Sequence, residues 1–155
     1  MLGAIEVARY LVHLAANAND EPDYLSHLRL QKLLYYVQGW SLATFNKPMF
    51  PERIEAWAHG PVVRDIYRQF NEKGRRAITL EDFESQDDFE FEAEDRELIW
   101  AVWDTFKDHS ALSLRKMTHD ELPWTNARKG FDPADRCDQE ITHEAMTDYF
   151  TTLLE

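Results

Sequence analysis

The chain of 155 residues has a single cysteine, Cys137. It can close no internal disulfide, and no second cysteine stands at zinc-finger spacing, so a reducing cytoplasmic setting without structural zinc is expected. Glycine is scarce too: five residues, scattered singly. They leave no Gly-rich phosphate loop, no Rossmann fingerprint and no G-x-S-x-G elbow, so nucleotide enzymes and serine hydrolases find no support. Positive charge is short, with 17 Lys and Arg against 29 Asp and Glu and a formal net charge of −12. That field repels a phosphate backbone, so no direct nucleic-acid ligand is expected, and it attracts basic protein surface. Long apolar runs are missing as well. The opening "MLGAIEVARYLVHLAANANDEP" has no basic leading region and is interrupted by Glu6, Arg9 and His13, which argues against a signal peptide or a membrane span.

Core material is plentiful. Hydrophobic residues make up 44% of the chain, with five Trp, six Tyr and nine Phe, enough for one domain over residues 1–155. Ile5, Ala8, Leu11, Val12 and Ala15 recur at helical steps, and "NANDEPD" ends that helix. Ser26 is placed to cap the next helix, with Leu25 and Leu30 as its hydrophobic staple. That helix carries Leu30, Leu33, Leu34 and Val37 on one face and Tyr36, Trp40 and Ala43 on another. Two apolar faces predict a central position. After the proline-broken "NKPMFPER", the alternation in "RIEAWAH" predicts a short strand. Pro61 is expected at the first position of a helix with Val63, Ile66, Tyr67 and Phe70 on its buried stripe and Gly74 as its stop. "RAITL" is expected to pair with the strand. Later helices are predicted around Ile99, Val102, Trp103 and Phe106, after Ser113, and after Thr142, the last lined by Ala145, Met146, Tyr149, Phe150 and Leu153 and stapled by Ile141 and Met146. Pro123 is expected to force a turn, with Trp124 covering the core. The sum is a mainly α, compact single-domain fold of about five to seven helices with a small β-hairpin-like element near residues 52–80.

Two features point toward function. Residues 81–97 hold ten acidic residues and one basic residue, Arg96, with Phe83, Phe89 and Phe91 interleaved. The stretch reads as a solvated loop leading into a helix, or as an acidic edge that meets a basic partner. Around "EAWAHGPVVRDIYRQF", Trp57, His59, Arg64, Tyr67 and Arg68 combine aromatic and cationic side chains of the kind that dominate protein interfaces. The candidate partner-binding set is therefore Trp57, His59, Arg64, Tyr67, Arg68, Asp87, Asp88, Phe89 and Glu90. His59 is expected to bond free carbonyls at the strand-to-helix junction, and His119 to bond locally. Six scattered histidines show no metal-ligand spacing, and Cys137 lies among carboxylates that disfavour a nucleophile. No metal, cofactor or catalytic set is expected. An enzymatic alternative would use a polar cleft near His59, with Tyr67 and a carboxylate as acid and base.

Three stretches taken together, "LRLQKLLYYVQGWSLA" at 28–43, "IEAWAHGPVVRDIYRQF" at 54–70 and "PWTNARKG" followed by "ITHEAMTDYF", resemble the Panacea antitoxin domain family of SocA-like and phage-associated proteins. Gln31, Lys32, Tyr35, Trp57, Gly60, Pro61 and Trp124 match its pattern. The resemblance implies a helical domain that neutralises a cognate protein toxin, often encoded beside it, by direct binding. Some relatives act instead as adaptors that deliver the toxin to a cytosolic protease. No segment is left for a helix-turn-helix or a long toxin-wrapping tail, so inhibition would come from the folded domain itself.

Overall fold

Helical spacing in the sequence becomes helix in the computed structural model, which describes residues 2–18 and 23–154. In chain order the elements are α1 (Ala4–Ala16), α2 (His27–Phe45), β1 (Ile54–Trp57), β2 (Gly60–Val63), α3 (Arg64–Phe70), α4 (Ala93–Phe106), α5 (Ala111–His119), α6 (Leu122–Ala127), β3 (Glu140–Ile141) and α7 (His143–Thr152). The result is mainly α and compact, with seven helices and one three-stranded antiparallel sheet among the described residues. Most of the "NANDEPD" terminator, residues 19–22, lies outside the described residues.

The central helix is α2. Ser26 Oγ accepts the Arg29 amide at 3.3 Å, and Asn46 closes the far end in the left-handed conformation that asparagine tolerates. Leu25, Leu30, Leu33, Leu34, Tyr36 and Val37 are all buried, and α1, α4, α5 and α7 pack around them. One close approach depends on glycine. A Cβ on Gly39 would stand 2.2 Å from Phe150 Cε2, so the bare backbone lets α7 seat its phenyl ring against α2. α1 lacks a side-chain cap of its own, and Glu52 supplies one from a distance by accepting the Ala4 amide at 3.0 Å.

Polar side chains on α2 hold the connectors in place. Gln31 and Gln38 are seven residues apart and share a face. Gln31 donates to the Val63 carbonyl at 3.1 Å and accepts its amide at 2.8 Å. Gln38 does the same for the segment before β1, donating to Phe50 O and accepting the Met49 and Phe50 amides. Each buried amide side chain thus satisfies backbone that has no ladder partner.

The β element differs from expectation. Pro61 does not open a helix. It pairs with Ala56 within β2, and the hairpin turns tightly through residues 58 and 59. Because the sheet order is β2-β1-β3, β2 is an edge strand, where the missing amide of proline is tolerated. The third strand comes from Glu140–Ile141 and not from "RAITL", whose Ala77 makes only an isolated bridge to Ser26. Gly74 follows a short 3₁₀ turn, Asn71–Lys73, with φ 58°. Ser110, not Ser113, caps α5: its Oγ accepts the Ser113 amide at 3.1 Å. Pro123 sits in the first turn of α6, where its missing donor does no harm. Thr142 does cap α7, but Leu153 is exposed because the helix ends at Thr152.

Candidate functional site

The hairpin turn is held by three side chains from the α5–α6 corner, each taking one of three successive carbonyls. Arg128 Nη1 donates to Ala56 O at 2.9 Å, Trp124 Nε1 to Trp57 O at 2.8 Å, and His119 Nε2 lies 2.9 Å from Ala58 O. His119 Nδ1 also stands 2.8 Å from Arg115 O. A neutral ring donates from only one nitrogen. Burial nevertheless keeps the His119 pKa below its ordinary value, aided by Arg115 and opposed by the two carbonyls. His119 therefore has the local role expected of it, and also the role expected of His59, which is exposed. Below this corner Glu121 is buried and accepts the hydroxyls of Tyr35 at 3.0 Å and Tyr36 at 2.9 Å. Burial raises its pKa against the pull of those two bonds, and burial followed by the Glu121 charge raises both tyrosines.

The candidate partner-binding residues fall on two sides of α3. Trp57 and Tyr67 are half-buried and meet edge to face at 4.7 Å. Trp57 Nε1 donates to the buried Glu55 at 2.9 Å, and Arg64 pairs with the same carboxylate at 2.8 Å. Arg68 is exposed and makes no ion pair among the described residues. Asp65, Ile66 and Gln69, on the other side of α3, turn toward the acidic segment and line a groove with it.

That groove is open, with a volume of about 1340 Å³ between α1, α3 and residues 82–91. Among the described residues eight carboxylates line it, from four separate segments, and Arg9 is the one basic residue there. Glu52 caps α1 and Asp82 pairs with Lys73, whereas Glu6, Asp65, Glu84, Asp87, Asp88 and Glu90 form no ion pair among the described residues. Aromatic packing fixes the acidic segment to the body. Phe83 is buried against Phe70, while Phe89 and Phe91 each meet Tyr10 at 5.0 Å. Arg9 stacks over Phe89 at 4.0 Å and donates to Asp87 O at 2.8 Å, and Arg96 donates to Phe89 O at 2.9 Å. The rings and backbone are thus held while Asp87, Asp88 and Glu90 point outward, exposed.

Of the candidate set, Asp87, Asp88, Phe89 and Glu90 share this groove, and Trp57, His59, Arg64, Tyr67 and Arg68 do not line it. Sequence reasoning missed Glu6, Glu52 and Asp65, because no local spacing links carboxylates that only folding brings together. Lys32 entered that reasoning only as a position of the Panacea pattern and not as a site residue, although a lysine amid Leu30, Leu33 and Leu34 on a doubly apolar helix is a visible signal. Among the described residues no group of His, Cys, Asp and Glu is arranged to hold a metal, and no helix is long and apolar enough to cross a membrane.

The family model described as "Antitoxin SocA-like, Panacea domain" matches residues 30–125, from α2 through α6. The chain belongs to this family. Of the residues that carry the Panacea pattern, Gln31 bonds the Val63 backbone of the hairpin, Tyr35 bonds Glu121 at the α5–α6 corner, Trp124 bonds the Trp57 carbonyl, and Gly60 and Pro61 lie in β2. Helices α1 and α7 lie outside the matched span but pack on α2. The chain is 42% identical over 72 residues to the protein named Antitoxin SocA from Caulobacter vibrioides (strain NA1000 / CB15N). The match covers 46% of this chain and 37% of that relative, so the chain spans well under two-thirds of the relative's length. No solved structure matches it.

Proposed function

We propose that this Panacea chain, taken as one domain over residues 1–155, is an antitoxin that neutralises a cognate protein toxin by direct binding and makes no bonds of its own. The acidic groove carries the proposal. Six carboxylates without ion pairs converge there on a shelf held rigid by Phe83, Phe89 and Phe91, a surface complementary to a basic polypeptide segment. A pre-ordered surface loses little conformational entropy on docking, which favours affinity. The name of the Caulobacter relative supports the same role. The partner is a protein toxin encoded by the adjacent gene, bound in the cytoplasm. Trp57 and His59 of the β1–β2 hairpin with Arg64, Tyr67 and Arg68 of α3, none of which lines the groove, would form a second contact patch.

The test is co-expression with the neighbouring gene. A stable complex that restores growth is expected, and neither a complex nor rescue would refute the role for that pair. Reversing charge at Asp87, Asp88 and Glu90 is expected to slow association about tenfold or more at low salt and to flatten its salt dependence. Those side chains are exposed, and the segment is held through Asp87 O and Phe89 O, so the fold is expected to survive the change. Unchanged association would remove the groove from the interface. A toxin whose half-life shortens only when a cytosolic protease is present would instead make the chain a delivery adaptor.

A further inference from the structure

One residue of the Panacea pattern has no structural partner. Gln31 holds Val63, Tyr35 and Tyr36 hold Glu121, and Trp124 holds the Trp57 carbonyl. Lys32 lies beside them on α2, 1% exposed, yet its ammonium makes no hydrogen bond and no ion pair among the described residues. A buried charge normally comes with an opposite charge, because desolvation is otherwise uncompensated. Acidic side chains outnumber basic ones 29 to 17 here, so the missing carboxylate does not reflect a shortage.

The surroundings of the ammonium are cationic. Its end lies under the β1–β2 turn: a Cβ on Gly60 would stand 2.9 Å from Lys32 Cε, 3.0 Å from Nζ and 3.2 Å from Thr118 Oγ1. Gly60, at φ +122°, leaves that space to the lysine and the hydroxyl. Arg115 on α5 is exposed, forms no ion pair among the described residues, and repels the Lys32 charge. His59 from the hairpin and His119 from α5 have lowered pKa values, through burial and then through the nearby positive charges of Arg115 and Lys32. His27, at the start of α2, is lowered by burial and then by Lys32, and its buried Nδ1 also has no hydrogen-bond partner. Burial, followed by Arg115, takes Lys32 itself down to about 8. A buried lysine whose ammonium has no hydrogen bond thus lies with an unpaired arginine at one corner of a strongly acidic protein.

We propose that Lys32, Thr118 and Arg115, beneath the β1–β2 turn, form a binding site for an oxyanion, a phosphate or carboxylate group that takes the place of the missing carboxylate. The ammonium supplies the charge-assisted hydrogen bond, Thr118, whose hydroxyl donates to Arg115 O at 3.0 Å, lines the space beside it, and Arg115 provides the outer contact. The site lies apart from the acidic groove and does not depend on the antitoxin reading.

The test follows the Lys32 side-chain ammonium by NMR while inorganic phosphate, and separately acetate, is titrated into the full chain at constant ionic strength. A saturable shift of the Lys32 signal is expected, with its pKa moving from about 8 toward the ordinary 10.5. Arg115→Gln, at an exposed position, is expected to weaken that binding about tenfold. Lys32→Met is expected to abolish the anion's effect on thermal stability while melting no lower than the parent, because it removes an unpaired buried charge. Response to phosphate alone identifies a phosphoryl ligand, and response to acetate identifies a carboxylate; either supports the site. No saturable response to either anion overturns it. So does an anion effect on thermal stability that persists unchanged in both Lys32→Met and Arg115→Gln, because the anion would then bind elsewhere.

Discussion

Replacing Gly39 by alanine separates local helix propensity from tertiary packing, because the two predict opposite signs. In an exposed helix interior Gly→Ala stabilises by about 1 kcal/mol. In this fold the new methyl carbon would stand 2.2, 2.4 and 2.6 Å from Phe150 Cε2, Cδ2 and Cζ. Carbon atoms pack best at about 3.5–4.0 Å, so the ring must retreat by more than about 1 Å. It has little room to do so. Phe150 is fully buried and meets Tyr35, Trp40 and Tyr149 at 5.6, 5.3 and 5.1 Å. Overpacking of this kind costs about 1–3 kcal/mol, and the severity of the overlap places Gly39→Ala at the upper end, a net loss of about 2 kcal/mol after the propensity gain. With a urea dependence of about 2 kcal/mol per molar, the unfolding midpoint is expected to fall by about 1 M. Phe150→Leu removes the overlapping ring edge, so in that background Gly39→Ala is expected to be neutral or stabilising, a coupling that a double-mutant cycle reads directly. A Gly39→Ala variant as stable as the parent would refute the α2–α7 packing described above.

Two further predictions concern the hairpin corner. Trp124→Phe removes the donor to Trp57 O and leaves a half-buried carbonyl unpaired, for an expected loss of about 2 kcal/mol in chemical denaturation; an unchanged midpoint would show that the turn does not need this bond. Lys32 predicts a pH dependence of stability. Its folded pKa of about 8 lies below the ordinary 10.5, so between those values the unfolded chain holds a proton that the folded chain has given up, and stability rises with pH through that window. Below pH 8 both states are protonated and the whole penalty stands, about 3 kcal/mol at about 1.4 kcal/mol per pKa unit. The difference between parent and Lys32→Met, followed in urea from pH 7 to 10, is expected to shrink as pH rises. Parallel curves would place the lysine in contact with water or with a counter-charge.

Helices and their caps were legible because their causes lie within a few residues. Ser26 and Thr142 cap the amides three positions on, and the two apolar faces of α2 predict its central place from spacing alone. The resemblance to the Panacea family was legible for a related reason, since Gln31, Trp57, Gly60, Pro61 and Trp124 stand in chain order. Errors began where a partner is distant. Pro61 joins a strand because Gln31, thirty residues earlier, and Ala56 across the hairpin take up the backbone of that segment. The third strand comes from Glu140–Ile141, which no local pattern connects to Ile54 and Glu55.

Sequence alone thus determined the class of fold, the central helix, the excess of negative charge and the family, all properties set by composition, short-range periodicity or residue order. Tertiary structure decided which charges share a surface and which side chain is left without a partner. Glu6, Asp65 and Asp88 become neighbours, and Lys32 becomes solitary, only when helices far apart in the chain are packed together. Electrostatic energy depends on distance through space and on burial, and neither quantity is written in the order of the residues.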